Sequence, residues 1–138
     1  MTKITVQTQV NAPIEKVWKE FIEPAAIVQW NAASDDWHTT KAENDVRVGG
    51  TFSYRMEAKD GSAGFDLSGI YDAVTPHEHL TYTMSDARRV DVFFNQEDGG
   101  TRITETFDPE NENPSEMQRV GWQAILDSFK RYIEVSAA

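Results

Sequence analysis

The chain has 138 residues, no cysteine, and a formal charge of −10 from 23 acidic against 13 basic side chains. Its length suits one domain, expected over residues 1–138, that buries about two thirds of its unfolded surface. The lack of cysteine excludes disulfides, a thiol nucleophile and cysteine-based zinc sites. The acidic balance argues against nucleic acid and anionic membranes, because both partners demand Lys and Arg to neutralise phosphate. No stretch approaches the roughly 18 uninterrupted apolar residues of a membrane span. The opening MTKITVQTQV has no apolar run of the signal-peptide kind, so a cytoplasmic location is expected.

Residues 3–10 alternate, with Ile4, Val6, Thr8 and Val10 on one side, which predicts a half-buried strand. Pro13 suits the first position of a helix, with Asn11 or Ala12 as its cap. Ile14, Val17, Trp18, Phe21 and Ile22 then recur at helical spacing. Pro24 ends that helix, and a second short one is expected over about 24–30, carrying Ala26, Ile27 and Trp30. Residues 31–36 read as a loop.

From Trp37 the pattern turns to strands. Phe52, Tyr54 and Met56 share one face of a strand running to about Lys59, and Asp60-Gly61 signals a hairpin. Phe65, Leu67, Gly69 and Tyr71 share a face of the next strand, which Pro76 ends. Leu80, Tyr82 and Met84 alternate, as do Val90, Val92 and Phe94. After the Asp98-Gly99-Gly100 turn come Thr101, Ile103, Glu105 and Phe107 on one face. Asp66, Asp72 and Asp91 take alternate positions expected to face solvent. An acidic loop over 108–113 leads to Pro114 and Ser115, which open the longest helix, to about Val135. Met117, Val120, Gly121, Ala124, Ile125, Leu126, Phe129, Tyr132 and Ile133 give that helix a broad apolar side.

This order predicts an α+β fold. Six or seven strands in meander form a curved antiparallel sheet, which must bury one face. Two short helices lie between the first two strands, and the long final helix is the element able to cover the sheet. A strongly curved sheet gripping a helix leaves room for a ligand between them.

Several stretches carry a family resemblance: Val17-Trp18 with Trp30, the run Asp45-Val46-Arg47-Val48-Gly49-Gly50-Thr51-Phe52, the span from Gly69 to Leu80, and the pair Gly121-Trp122. Together and in this order they resemble the heat-shock-protein-90 ATPase activator homologues (AHSA-type) in their bacterial single-domain branch. That family lies within the SRPBCC superfamily of START-like and birch-allergen-like proteins. The resemblance implies a helix-grip fold with an internal pocket. It also implies, as alternatives, a polyketide cyclase-like or hydrolase-like enzyme, or a stress-response protein that associates with a chaperone. The eukaryotic activators engage the chaperone through a separate N-terminal domain, which is not expected within these 138 residues.

The candidate pocket wall comprises Trp30, His38, Phe52, Tyr54, Met56, Phe65, Leu67, Tyr71, Tyr82, Met84, Glu105, Phe107, Trp122, Leu126 and Phe129. Most of these aromatics also serve as core. Glu105 breaks the apolar pattern of its strand between Ile103 and Phe107. A buried carboxyl is costly unless paired, and its pKa rises. Glu105 is therefore the candidate polar anchor or general acid–base of a pocket, with His38, an Arg or a ligand as partner. The competing reading exposes it near the sheet edge or pairs it structurally with an Arg. His38 itself is either a second catalytic candidate or a strand-end histidine bonded to backbone. His77 and His79 flank Glu78 in a turn, with no third ligand evident for a metal. No Ser-His-Asp set, P-loop, dinucleotide fingerprint or HExxH motif is present, so no metal and no cofactor are expected. The expected partner is a hydrophobic or amphipathic small molecule.

Overall fold

A computed structural model describes residues 2–137; Met1 and Ala138, the two ends of the expected domain, lie outside the described residues. Strand β1 (Ile4–Val10) leads into helices α1 (Ile14–Ile22) and α2 (Pro24–Trp30). Six strands follow: β2 (Trp37–Asn44), β3 (Thr51–Ala58), β4 (Gly64–Thr75), β5 (His79–Met84), β6 (Arg89–Glu97) and β7 (Gly100–Phe107). Helix α3 (Ser115–Ala137) closes the chain. The seven strands form one antiparallel sheet in the order β1-β7-β6-β5-β4-β3-β2, curled as a half-barrel. No helix among the described residues is long and apolar enough to cross a membrane.

Local chemistry accounts for these elements. In β1 the apolar side, Ile4, Val6 and Val10, is buried, while Thr5 and Gln7 are exposed. Pro24 occupies the first turn of α2, as its fixed φ favours. Pro13 takes the N-cap position of α1 instead of the first helical residue, and neither Asn11 nor Ala12 caps it. The Asn11 amide instead donates to Glu134 of α3 at 3.0 Å. Between β6 and β7 a two-residue turn places Asp98 and Gly99 at φ +52° and +79°. Such mirror-image turns match the twist of the flanking strands and favour Asp-Gly. Gly69 serves a different need. A methyl group there would sit 2.7 Å from the Phe52 ring and 2.6 Å from the Thr83 carbonyl, so its bare backbone lets Phe52 lie across β4.

Helix α3 lies along β1 and against α2. Leu126, Phe129 and Ile133 are buried there, and Gln123 and Lys130 donate to the Gln7 and Gln9 carbonyls at 3.0 and 2.6 Å. These bonds occupy carbonyls of an edge strand that would otherwise be open to pairing. The broad apolar side expected of α3 is narrower at its start. Met117 and Val120 are 60% and 54% exposed, and the first turns are tied to the preceding loop by polar bonds. Gln118 accepts from the Glu110 amide at 2.9 Å and donates to the Glu110 and Asn113 carbonyls at 3.0 and 2.8 Å.

Candidate functional site

Between the concave face of the sheet and the inner side of α3 lies a cavity of about 240 Å³. Strand periodicity builds most of its wall. Phe52, Tyr54 and Met56 come from β3, Phe65, Leu67 and Tyr71 from β4, and Leu80, Tyr82 and Met84 from β5. Glu105 comes from β7, and Trp122 and Ile125 from α3. Phe21, Ile22, Trp30 and Asn31 close the end formed by α1 and α2, and Arg88 enters from the turn between β5 and β6. Phe65 is 47% exposed and packs against Trp37 at 5.9 Å between ring centres, so the wall meets solvent there.

Aromatic contacts hold the wall in shape. Phe52 stands 5.2, 5.5 and 4.9 Å from the rings of Tyr54, Tyr71 and Tyr82. Trp30 stacks on Phe21 at 5.3 Å, and its indole N–H donates to the Glu20 carbonyl at 3.0 Å. Trp122 stacks on Phe107 at 3.8 Å with an interplanar angle of 11°. Polar atoms are few and mostly engaged. The Tyr71 hydroxyl donates to Asn44 Oδ1 at 2.5 Å, and Asn44 Nδ2 donates to the Ile22 carbonyl at 2.8 Å. Asn31 and Thr39 bond each other, with the Thr39 hydroxyl 2.6 Å from the Asn31 carbonyl. The Arg88 guanidinium bonds Asp86 at 2.8 Å.

Like the Tyr82 hydroxyl, the Glu105 carboxyl has no hydrogen-bond partner among the described residues. On β7 it stands opposite Val6 of β1 and Val92 of β6, both buried, with Ile103 and Phe107 on its own face. It is 8% exposed, lines the cavity, and its carboxyl makes no hydrogen bond or ion pair among the described residues. Loss of water raises its pKa from the ordinary carboxylate value of 4.5 to about 7. Burial likewise pushes the Tyr71 hydroxyl up to about 12. It raises Tyr54 and Tyr82 well above the usual phenol range, and the nearby Glu105 charge adds to the effect at Tyr82.

Of the residues expected at the wall, His38, Phe107, Leu126 and Phe129 lie outside the lining. The register explains His38. Thr39 pairs with Met56, whose side chain faces the cavity, so Thr39 is the inward residue of β2 and the adjacent His38 points the other way. His38 borders a separate surface depression with Trp37, Lys59 and Arg131, and the Glu105–His38 pair is not formed. Phe107 backs Trp122, Phe129 packs under Trp30 and Phe21 at 4.9 and 5.3 Å, and Leu126 is core. Lining residues beyond those expected are Phe21, Ile22, Asn31, Leu80, Arg88 and Ile125. The periodicity already put Phe21, Ile22 and Leu80 on inward faces. Arg88 follows the left-handed Ala87 (φ +74°) in an irregular turn and carries no pattern signal.

On the opposite, convex face, His79 stacks on Phe93 at 4.5 Å. Its Nε2 lies 2.8 Å from the Thr81 hydroxyl, which donates to Asp91 at 2.7 Å. Asp91, expected in solvent, is thus half-buried in this cluster. His77 packs edge-on against Trp18 at 5.9 Å. Among the described residues no group of three or more His, Asp or Glu is placed to hold a metal ion.

The profile of the family described as Activator of Hsp90 ATPase homolog 1-like protein matches residues 11–134. The chain belongs to this AHSA1-like family. An AHSA1-like protein from Aeromonas hydrophila, solved in solution, is 47% identical and superposes with a TM-score of 0.93 over 99% of this chain and 94% of its own. A Cytophaga hutchinsonii protein is 50% identical, with a TM-score of 0.84 over 98% and 94% of the two chains. A Chromobacterium violaceum protein at 22% identity and a TM-score of 0.86, covering 97% and 99%, shares the fold. No curated protein matches the chain. The span matched to the AHSA1-like family contains every cavity-lining residue. The stretches that carried the resemblance also have cavity roles: Trp30, Phe52 and Trp122 line it, and Gly69 makes room for Phe52.

Proposed function

We propose that this AHSA1-like chain binds a small apolar or amphipathic molecule between its sheet and α3. The reading is carried by one observation: an aromatic-walled cavity of about 240 Å³ with a single unpartnered carboxyl turned into it. Ligand sites in general are concave and mostly apolar, with few polar groups to fix orientation. The volume sets a size. A dry cavity of roughly 150 Å³ takes benzene, so about ten heavy atoms fit here by proportion. Native mass spectrometry of protein purified from its own cells tests the reading, together with thermal-shift screening of one- and two-ring compounds. A bound mass, or a shift that is lost when Trp122→Ala and Tyr82→Ala reshape the wall, supports it. A screen with no shift and no bound mass refutes it.

A second reading is favoured by Glu105 alone. A carboxyl that changes protonation near pH 7 is matched to general acid–base work at neutral pH. In that case the protein is an enzyme of the cyclase or hydrolase kind, with Glu105 exchanging a proton with a substrate held against the tyrosines. Its test is a product formed from a bound compound by the natural chain and not by Glu105→Gln.

A further inference from the structure

The cavity's chemistry narrows the ligand class, on the premise that the cavity binds a small molecule as proposed above. An ionised carboxylate only accepts hydrogen bonds. Buried without a partner it is unfavourable, and a ligand that supplies donors and a positive charge relieves that penalty. Among the described residues Glu105 has no such partner; the guanidinium that lines the cavity, Arg88, is bonded through Nε to Asp86. The walls supply the complement for the rest of such a ligand. Phe52, Tyr54, Tyr82 and Trp122 line the cavity. Aromatic faces carry negative charge density and attract organic cations. An anionic ligand would meet the buried carboxylate and a chain of net charge −10.

We propose that the cavity takes an aryl-alkyl ammonium ion of about ten heavy atoms, its ammonium on the Glu105 carboxylate and its ring among Phe52, Tyr82 and Trp122. The titratable and charged groups around the cavity are Tyr54 on β3, Tyr71 on β4, Tyr82 on β5 and Arg88 in the following turn. The neighbouring strands present Val6 and Val92 beside Glu105, and α3 presents Trp122 and Ile125. All three tyrosines are pushed above their ordinary range. Among these cavity groups, Glu105 is the one whose pKa falls between pH 6 and 8.

The test is NMR titration of the ¹⁵N-labelled chain with 2-phenylethylamine and with propylbenzene, an apolar compound of the same size and shape, at pH 6 and pH 8. At pH 8 the amine binds at least about tenfold more tightly, as a charge-assisted hydrogen bond implies. At pH 6 its affinity falls about tenfold, because the carboxyl, with a pKa of about 7, is then mostly neutral; that of propylbenzene does not fall. In Glu105→Gln the advantage of the amine and its pH dependence disappear while propylbenzene still binds, which also shows that the variant is folded. Propylbenzene binding without a preference for the amine overturns the ammonium assignment and leaves the binding function standing. An amine that binds more tightly at pH 6, or keeps its advantage in Glu105→Gln, overturns the assignment as well. If neither compound binds, both readings fall.

Discussion

Replacing Glu105 by Gln removes a titrating group without changing the shape of the side chain, and the expected consequence is a change in how stability depends on pH. The carboxyl has its ordinary pKa of 4.5 in the unfolded chain and about 7 in the folded one. A pKa raised by folding means that the folded state binds the proton more tightly. Its stabilising contribution is complete below pH 4.5 and is lost as the pH rises through 7. The shift of about 2.5 pH units corresponds to about 3 kcal/mol at 1.36 kcal/mol per unit, most of it lost by pH 8. The Gln amide does not titrate, so stability of the variant relative to the natural chain rises by that amount between pH 4.5 and pH 8. Urea unfolding at half-unit steps of pH measures it, and a slope of about 1–3 kcal/mol per molar urea turns the change into a midpoint shift of about 1–3 M. Carboxylates held low by partners, such as Asp108 beside Lys3 and Glu134 beside Lys130, lose stability in acid in both proteins and cancel in the difference. A difference between the two chains that stays flat from pH 4.5 to 8 refutes the assignment of Glu105 as a buried, unpartnered carboxyl.

Three other substitutions probe the frame around the cavity. Gly69→Ala puts a methyl group against the Phe52 ring and the Thr83 carbonyl; it destabilises by about 1–3 kcal/mol in thermal unfolding and displaces Phe52 from the cavity wall. Gln118→Leu leaves the Glu110 amide and two carbonyls without their side-chain partner and costs about 2 kcal/mol in urea, with the titration of Glu105 unchanged. His38→Ala leaves both ligand binding and the midpoint of Glu105 unmoved, which ¹³C NMR of the carboxyl measures directly; a moved midpoint means that β2 is turned the other way.

The fold was legible because its elements are locally consistent. Period-2 alternation in β1, β3, β5, β6 and β7 names the inward faces, and Asp98-Gly99 and Pro24 mark a turn and a helix start that local sterics demand. The cavity wall was legible wherever it lies on such a face. It was illegible in β2, where a register shift between Thr39 and Lys41 interrupts a polar strand. There the parity that sends Thr39 inward and His38 outward is fixed by pairing with Met56, which lies far along the chain. It was also illegible in packing depth. Phe107 and Phe129 share faces with lining residues, but Trp122, Trp30 and Phe21 stand between them and the cavity. Arg88 depends on a left-handed residue outside any repeating pattern.

Glu105 was visible from the start as a break in an apolar strand, with three explanations open. Exposure at a sheet edge fails because β7 is paired on both sides, by β1 and β6. A structural ion pair fails because, among the described residues, Arg88 pairs with Asp86, Arg102 pairs with Glu97, and no cation lies within ion-pair distance of Glu105. What is left is a carboxyl turned into an aromatic-walled space, where loss of water raises its pKa and is expected to weaken the fold above neutrality. Val6 and Val92, which flank it on the neighbouring strands, are buried without that penalty. Among the described residues nothing offsets that loss, and the binding function proposed above supplies the offset from outside the chain. Under the proposed binding function, the stability and binding experiments on Glu105→Gln measure two sides of one unmet interaction.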